Sequence, residues 1–134
     1  PAEGTIYCPG NSPDAITVGT YDRRSGTVAS SSSVGRPGQC KPDLLAEIPR
    51  ARHGKSGLIT GTSFASPAVA GVIAACLTRY GSDRIMGALL ATARDVGAPR
   101  NAQGAGCLDL EKALEVLQNE DHTDSADPRQ GGAG

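Results

Sequence analysis

The sequence predicts an α/β fold, and three observations carry the prediction. Short apolar runs rich in β-branched or aliphatic residues recur at 15–19, 44–46 and 58–60, each bounded by turn residues. Such runs read as strands. Two longer stretches beyond residue 63 place apolar residues at helical spacing, which reads as amphipathic helix. Of the 134 residues 38% are hydrophobic but only 3% are aromatic, so Val, Ile, Leu and Ala must build the core. Small side chains of that kind suit helices packed closely on a sheet.

Taken in order, residues 1–14 are turn-rich, with Pro9-Gly10-Asn11 and Ser12-Pro13-Asp14. Ala15-Ile16-Thr17-Val18-Gly19 is the first predicted strand. Residues 22–43 are polar and hold four successive serines, Ser30 to Ser33, read as a loop or strand edge. Leu44-Leu45-Ala46 is the second strand and Leu58-Ile59-Thr60 the third. Between these two, Arg50, Arg52, His53 and Lys55 cluster beside Gly54 and Gly57. With glycines interleaved and no aromatic present, the cluster reads as a solvated loop rather than a recognition patch.

From residue 63 to 80, Val69, Val72, Ile73, Cys76, Leu77 and Tyr80 form one apolar stripe, beside a strip of Ala68, Gly71 and Ala75. Pro67 is expected in the first turn, where its missing N–H matters little, and Gly81 at the helix end. Ser82 is the expected cap of a second helix with Ile85, Met86, Leu89, Leu90 and Ala93 inward, stopped by Gly97 and Pro99. Cys107-Leu108 reads as a short extended piece. Asp109 is the expected cap of a last helix with Leu110, Ala113, Leu114 and Leu117 inward. The domain is expected to span 1–117. Residues 118–134 are polar and end in Gly131-Gly132-Ala133-Gly134, so they are expected to form a disordered tail.

A formal net charge of −1, with acids and bases interspersed, argues against a nucleic-acid partner, which would need a basic face. No apolar run spans a membrane. The chain begins at Pro1 without a signal-peptide core, and we read this as a processed or fragmentary N-terminus. Cys8, Cys40, Cys76 and Cys107 contain no C-x-x-C pair, which speaks against zinc. Four cysteines allow three disulfide connectivities. Cys8 and Cys40, in polar turn-rich surroundings, make the best candidate pair. Cys76 and Cys107 lie in apolar stretches and read equally as buried free thiols. Bridges, if formed, imply an oxidising compartment and hence a secreted or cell-envelope location.

The chemistry concentrates in Gly61-Thr62-Ser63-Phe64-Ala65-Ser66-Pro67-Ala68-Val69-Ala70-Gly71. A strand ends at Gly61 and a helix begins at Ser63. A serine so placed has a free backbone N–H and the positive end of the helix dipole beside it, the environment a tetrahedral oxyanion needs. Small neighbours, Gly61 and Ala65, admit a substrate backbone. The plainer alternative is that Ser63 or Thr62 is only a helix cap.

Gly-Thr-Ser-Phe-Ala-Ser-Pro followed by Val-Ala-Gly resembles the nucleophile signature of the subtilisin-like serine peptidases. The resemblance extends to Tyr7-Cys8-Pro9-Gly10-Asn11-Ser12-Pro13, to Ala29-Ser30-Ser31-Ser32-Ser33-Val34-Gly35, to Lys41-Pro42-Asp43-Leu44-Leu45-Ala46 and to the segment from Gly104 to Leu110. It covers roughly residues 5–117. The chain departs from the family pattern at Glu47-Ile48-Pro49, where Pro-Gly is usual, and at Ala68, where His is common. An α/β-hydrolase reading of Gly61-x-Ser63-x-Ala65 fails on the downstream Pro67 and C-terminal helices.

The resemblance implies the C-terminal portion of a three-layer fold, a mostly parallel sheet flanked by helices. It implies that Ser63 is the nucleophile, that Ser63 and Thr62 support the oxyanion, and that Tyr7, Cys8, Pro9 and Gly10 form one wall of the S1 pocket. The substrates would be proteins or peptides. No cofactor is implied beyond a structural calcium that some members bind, and Asp43 alone is more simply a surface or turn residue.

The family draws its catalytic Asp and His, and an oxyanion Asn, from segments upstream of anything in this chain. His53 stands in the basic loop and does not match the family's His motif. His122 falls in the tail, and Asn11 belongs to the pocket turn. The expected partner is therefore the N-terminal half of the same catalytic domain, as a separate chain or a missing segment. Alone the chain is expected to be inactive. The competing reading is a non-catalytic half that binds or scaffolds.

Overall fold

The computed structural model describes residues 2–47 and 61–124, with backbone only for 122–124. Among the described residues three strands and four helices follow in the order β1 (Val18–Asp22), β2 (Thr27–Val28), β3 (Leu44–Glu47), α1 (Thr62–Leu77), α2 (Ser82–Ala91), α3 (Arg100–Gln103) and α4 (Leu110–Asp124). The predicted α/β class is what forms: a small mixed sheet flanked by helices. The third predicted strand, 58–60, and the basic loop with His53 lie outside the described residues.

β1 is central. It pairs parallel with β3, Val18 opposite Leu44 through Tyr21 opposite Glu47, and antiparallel with the short β2. Cys107 adds a parallel bridge to Leu45 and an antiparallel one to Arg94, so the predicted extended piece at 107–108 closes the far edge of β3. Because side chains alternate across a strand, β3 serves two cores. Leu44 and Ala46 meet Val18 and, from α1, Ala65 and Val69. Leu45 turns the other way, onto Tyr21 and Cys107. A third cluster joins the end of α1 to α2 and α4 through Cys76, Tyr80, Ile85, Ala88, Leu89, Ala113 and Leu117.

β1 begins three residues later than the sequence suggests. Ile16 is exposed, and the segment before the strand is held by polar contacts instead. The Asp43 carboxylate accepts from the Thr17 N–H at 2.6 Å and from Lys41 Nζ at 2.7 Å, while Lys41 Nζ also donates to the Ala15 carbonyl at 2.6 Å. Asp43 thus has its charge met by Lys41.

Helix boundaries shift as well. α1 starts at Thr62, so Pro67 sits in its second turn rather than its first. The N–H that Pro67 lacks is the one that would have bonded the Ser63 carbonyl. Gly81 does not end α1; the helix closes at Thr78, and Gly81 is the N-cap of α2, with Ser82 as the first helical residue and no side-chain cap. Asp109 does cap α4, accepting from the Lys112 N–H at 3.2 Å. That bond holds its carboxyl below the usual range.

α4 continues to Asp124, past residue 117, where the domain is expected to end. Its last turns are anchored. Asp121 accepts from Arg79 at 3.1 Å and from Arg84 at 3.2 Å, Glu120 from Arg84 at 3.3 Å, and both guanidiniums lie 5.5 and 5.6 Å from the Tyr80 ring centre. Burial opposes ionisation of Asp121, but the two arginine hydrogen bonds outweigh it and its carboxyl lies below the usual range.

The expected Cys8–Cys40 disulfide does not form. All four thiols are free, with Cys8 and Cys40 exposed and Cys76 and Cys107 buried. The reason is the course of the chain. Gly4 and Thr5 donate to the carbonyls of Gly35 and Val34, an antiparallel contact that carries Cys8 and Cys40 away in opposite directions. The cysteines therefore give no support to a secreted location. Burial pushes the Cys107 thiol up to about 11. Ellman's reagent at pH 8 should titrate two thiols in the native chain and the other two only after unfolding, since the thiolate is the reactive form. A native titre below two would restore a bridge.

Candidate active site

The site begins with a glycine. Gly61, with φ 120° and ψ 162°, takes a backbone shape that side chains disfavour, and this brings the chain straight into α1. The Phe64 N–H closes the turn on the Gly61 carbonyl at 3.1 Å. No side chain caps the helix, so neither Ser63 nor Thr62 is a cap. Ser63 is the second helical residue and is exposed. Among the described residues no hydrogen bond engages its hydroxyl. Its N–H is one of the four that a helix cannot pair within itself, and no acid occupies the first turn to neutralise the positive dipole end.

A depression of about 190 Å³ opens next to this turn. Its walls include Ile6 and Tyr7, the Thr17–Gly19 segment entering β1, Ser33, and Thr62. Of the four residues expected at a pocket wall only Tyr7 lines it. Cys8, Pro9 and Gly10 belong to a turn closed on itself by Asn11 N–H to Tyr7 carbonyl at 3.2 Å and Ser12 N–H to Pro9 carbonyl at 2.9 Å. The Thr17 hydroxyl donates to the Gly10 carbonyl and ties that turn to β1. Thr17 and Ser33 also line it, from the β-branched and serine-rich runs, without any signal in the sequence that marks them as wall residues.

No described residue brings a base to Ser63. The side chain of His122 and all of His53 lie outside the description. Among the described residues no cluster of His, Cys, Asp and Glu could hold a metal, and no helix is long and apolar enough to cross a membrane.

The profile of the subtilase family matches residues 1–106. This chain belongs to the subtilase family. Its fold is likewise that of subtilase proteases. The Clostridium perfringens CspB protease superposes with a TM-score of 0.70 at 26% identity, over 87% of this subtilase chain and 30% of that one. The prenylagaramide maturation protease PagA gives 0.66 at 25% identity, over 86% and 46%. In sequence, tripeptidyl-peptidase 2 of Drosophila melanogaster is 36% identical over an alignment of 97 residues that covers 66% of this chain and 7% of that protein. The subtilase chain thus spans less than half the length of each of these three relatives.

Proposed function

We propose that this chain supplies the nucleophile of a subtilisin-like serine endopeptidase acting on proteins or peptides. The observation that carries the reading is Ser63, in the first turn of α1 with a hydroxyl that no described residue engages, next to a depression that Thr62 lines. In the complete domain the Ser63 Oγ attacks the scissile carbonyl and forms the acyl-enzyme. A histidine from the complementary N-terminal part takes the proton and returns it to the leaving amine, oriented by an aspartate of the same part. The Ser63 N–H donates to the oxyanion, beside Thr62, and an asparagine from the complementary part gives the second hydrogen bond. Water then releases the acyl group. Tyr7 contributes one wall of the pocket for the residue before the scissile bond.

Taken alone, Ser63 is an ordinary alcohol and the 134-residue chain is inactive, because triad members act as a unit. A fluorophosphonate probe tests this. It should label Ser63 in the complete, folded domain and leave the 134-residue chain unlabelled. An unlabelled complete domain would remove the enzyme reading. Ready labelling of the short chain would show that it holds its own base.

A further inference from the structure

Residues 2–17 run along the surface, and none of them is buried. Tyr7 is 76% and Ile16 43% exposed. Apolar burial, the usual force that fixes a segment, is therefore not what holds this strap. Yet the strap supplies Ile6, Tyr7 and Thr17 to the wall of the depression. Polar contacts hold it at two ends. At the first, the Gly4 and Thr5 N–H groups donate to the Gly35 and Val34 carbonyls, and the Val34 N–H donates to the Thr5 hydroxyl at 2.9 Å. At the second stand Lys41 and Asp43. The Asp43 N–H donates to the Thr17 carbonyl at 2.8 Å and its carboxylate accepts from the Thr17 N–H, while Lys41 Nζ bridges that carboxylate and the Ala15 carbonyl.

We propose that Lys41 and Asp43 are positioning residues for substrate selection: they fix the strap, and the strap fixes the pocket wall. The inference rests on the protease reading, since the depression receives substrate only in that reading. Thr17, gripped through its backbone, ties the Gly10 turn by its hydroxyl, and that turn closes on the Tyr7 carbonyl through the Asn11 N–H at 3.2 Å. The Lys41 side chain is only 10% exposed, where an ammonium needs partners, and its bond to a carboxylate is of the stronger, charge-assisted kind. Asp43 is anchored from behind, its carbonyl accepting from the Ala105 N–H at 2.8 Å. Between the two lies Pro42, fully buried and itself part of the wall. Among the described residues no hydrogen bond links the pair to Ser63, so the pair bears on binding and not on the chemical step.

The test compares variants of the complete domain on a fluorogenic peptide built around a bond that the parent cuts in denatured casein. Lys41→Met should raise KM about tenfold, the effect of losing one hydrogen bond to a charged group. It should leave kcat and the rate of fluorophosphonate labelling at Ser63 unchanged, the pattern of a lost binding contribution. Asp43→Asn keeps an acceptor for the Thr17 N–H but removes the charge facing Lys41, and it should raise KM as well. The double variant should be no worse than the worse single one, because both changes open one clamp. Amide exchange at Asn11 and Thr17 should quicken in each variant. Arg84→Met, which breaks the ion pairs to Glu120 and Asp121 on α4, is the control: it should lower the unfolding midpoint and leave KM alone. An unchanged KM, a loss in kcat matched by slower labelling, or single effects that add in the double variant each overturn the proposal. A parent domain that neither cleaves nor labels removes the protease reading, and exchange then decides the clamp. Quicker exchange in Lys41→Met upholds its hold on the strap, and unchanged exchange overturns it.

Discussion

Gly104→Ala should remove about 4 kcal/mol or more of the chain's stability. Gly104 has φ +61°, and a Cβ there would lie 2.2 Å from the Pro42 carbonyl oxygen and 2.3 Å from that of Asp43. These are backbone atoms, so no side-chain rotation relieves the clash. They also belong to the seam that joins the end of the domain to β3. Ala105 N–H donates to the Asp43 carbonyl, Leu45 N–H to the Gly106 carbonyl and Leu108 N–H to the Leu45 carbonyl, each at 2.8 Å. Opening the seam loses these three bonds, at about 1 kcal/mol each, and adds roughly 1–2 kcal/mol of backbone strain. It also parts Leu45 from Cys107, both fully buried. The sum is about 4 kcal/mol or more, most of the stability of a small domain at the low end of the usual range of roughly 5–15 kcal/mol. Urea denaturation followed by circular dichroism measures it. A variant within about 0.5 kcal/mol of the parent, the usual size of a neutral surface change, would refute the packing argument. Gly87 is the control: it lies in α2 with open space around it, and Gly87→Ala should stabilise by up to about 1 kcal/mol.

The second large effect concerns activity. In the complete domain Ser63→Ala should lower kcat by roughly six orders of magnitude, the size that loss of a triad nucleophile has in a subtilisin. KM should change little, since the lost hydroxyl does chemistry rather than binding. Stability should not change either. The hydroxyl is exposed and bonded to no described residue, so its removal leaves nothing buried and unpaired. Peptide hydrolysis by the purified variant, beside its unfolding midpoint, reads both. Loss of less than tenfold in kcat would move the nucleophile elsewhere.

What the sequence revealed, and what it hid, follows from the range of the interactions involved. The Leu44-Leu45-Ala46 strand was legible because three successive buried apolar residues suit a strand covered on both faces. The Asp109 cap was legible because its partner is three residues away. The start of β1 was not, since Ala15-Ile16-Thr17 looks as strand-like as Val18-Gly19-Thr20. Pairing with β3 and the grip of Lys41 and Asp43 decided between them, across more than twenty residues. The end of α4 was hidden for the same reason: Gln118 onward is polar, and its order depends on Arg79 and Arg84, some forty residues back.

The site divides the same way. Gly61 and Ser63 could be placed from their own segment, because a glycine leading into the first turn of a helix is local chemistry. Leu77 was expected inside and is half exposed, because helical spacing marks α1 as apolar without saying which side the rest of the chain covers. Ala65, small and unremarked as core, is fully buried. The Cys8–Cys40 pairing was judged from surroundings alone, and two backbone hydrogen bonds between residues 4–5 and 34–35 route the chain otherwise.

The aromatic residues have a practical consequence. The chain has no tryptophan and three tyrosines, and each stands in a different part of the molecule. Tyr7 borders the depression, Tyr21 lies buried in the sheet with Arg94 5.0 Å from its ring centre, and Tyr80 lies between two guanidiniums where the helices meet. Ultraviolet emission from the chain is therefore tyrosine emission alone, and single Tyr→Phe replacements would sort it into three local optical signals: one for the pocket rim, one for the strands and one for the helical junction.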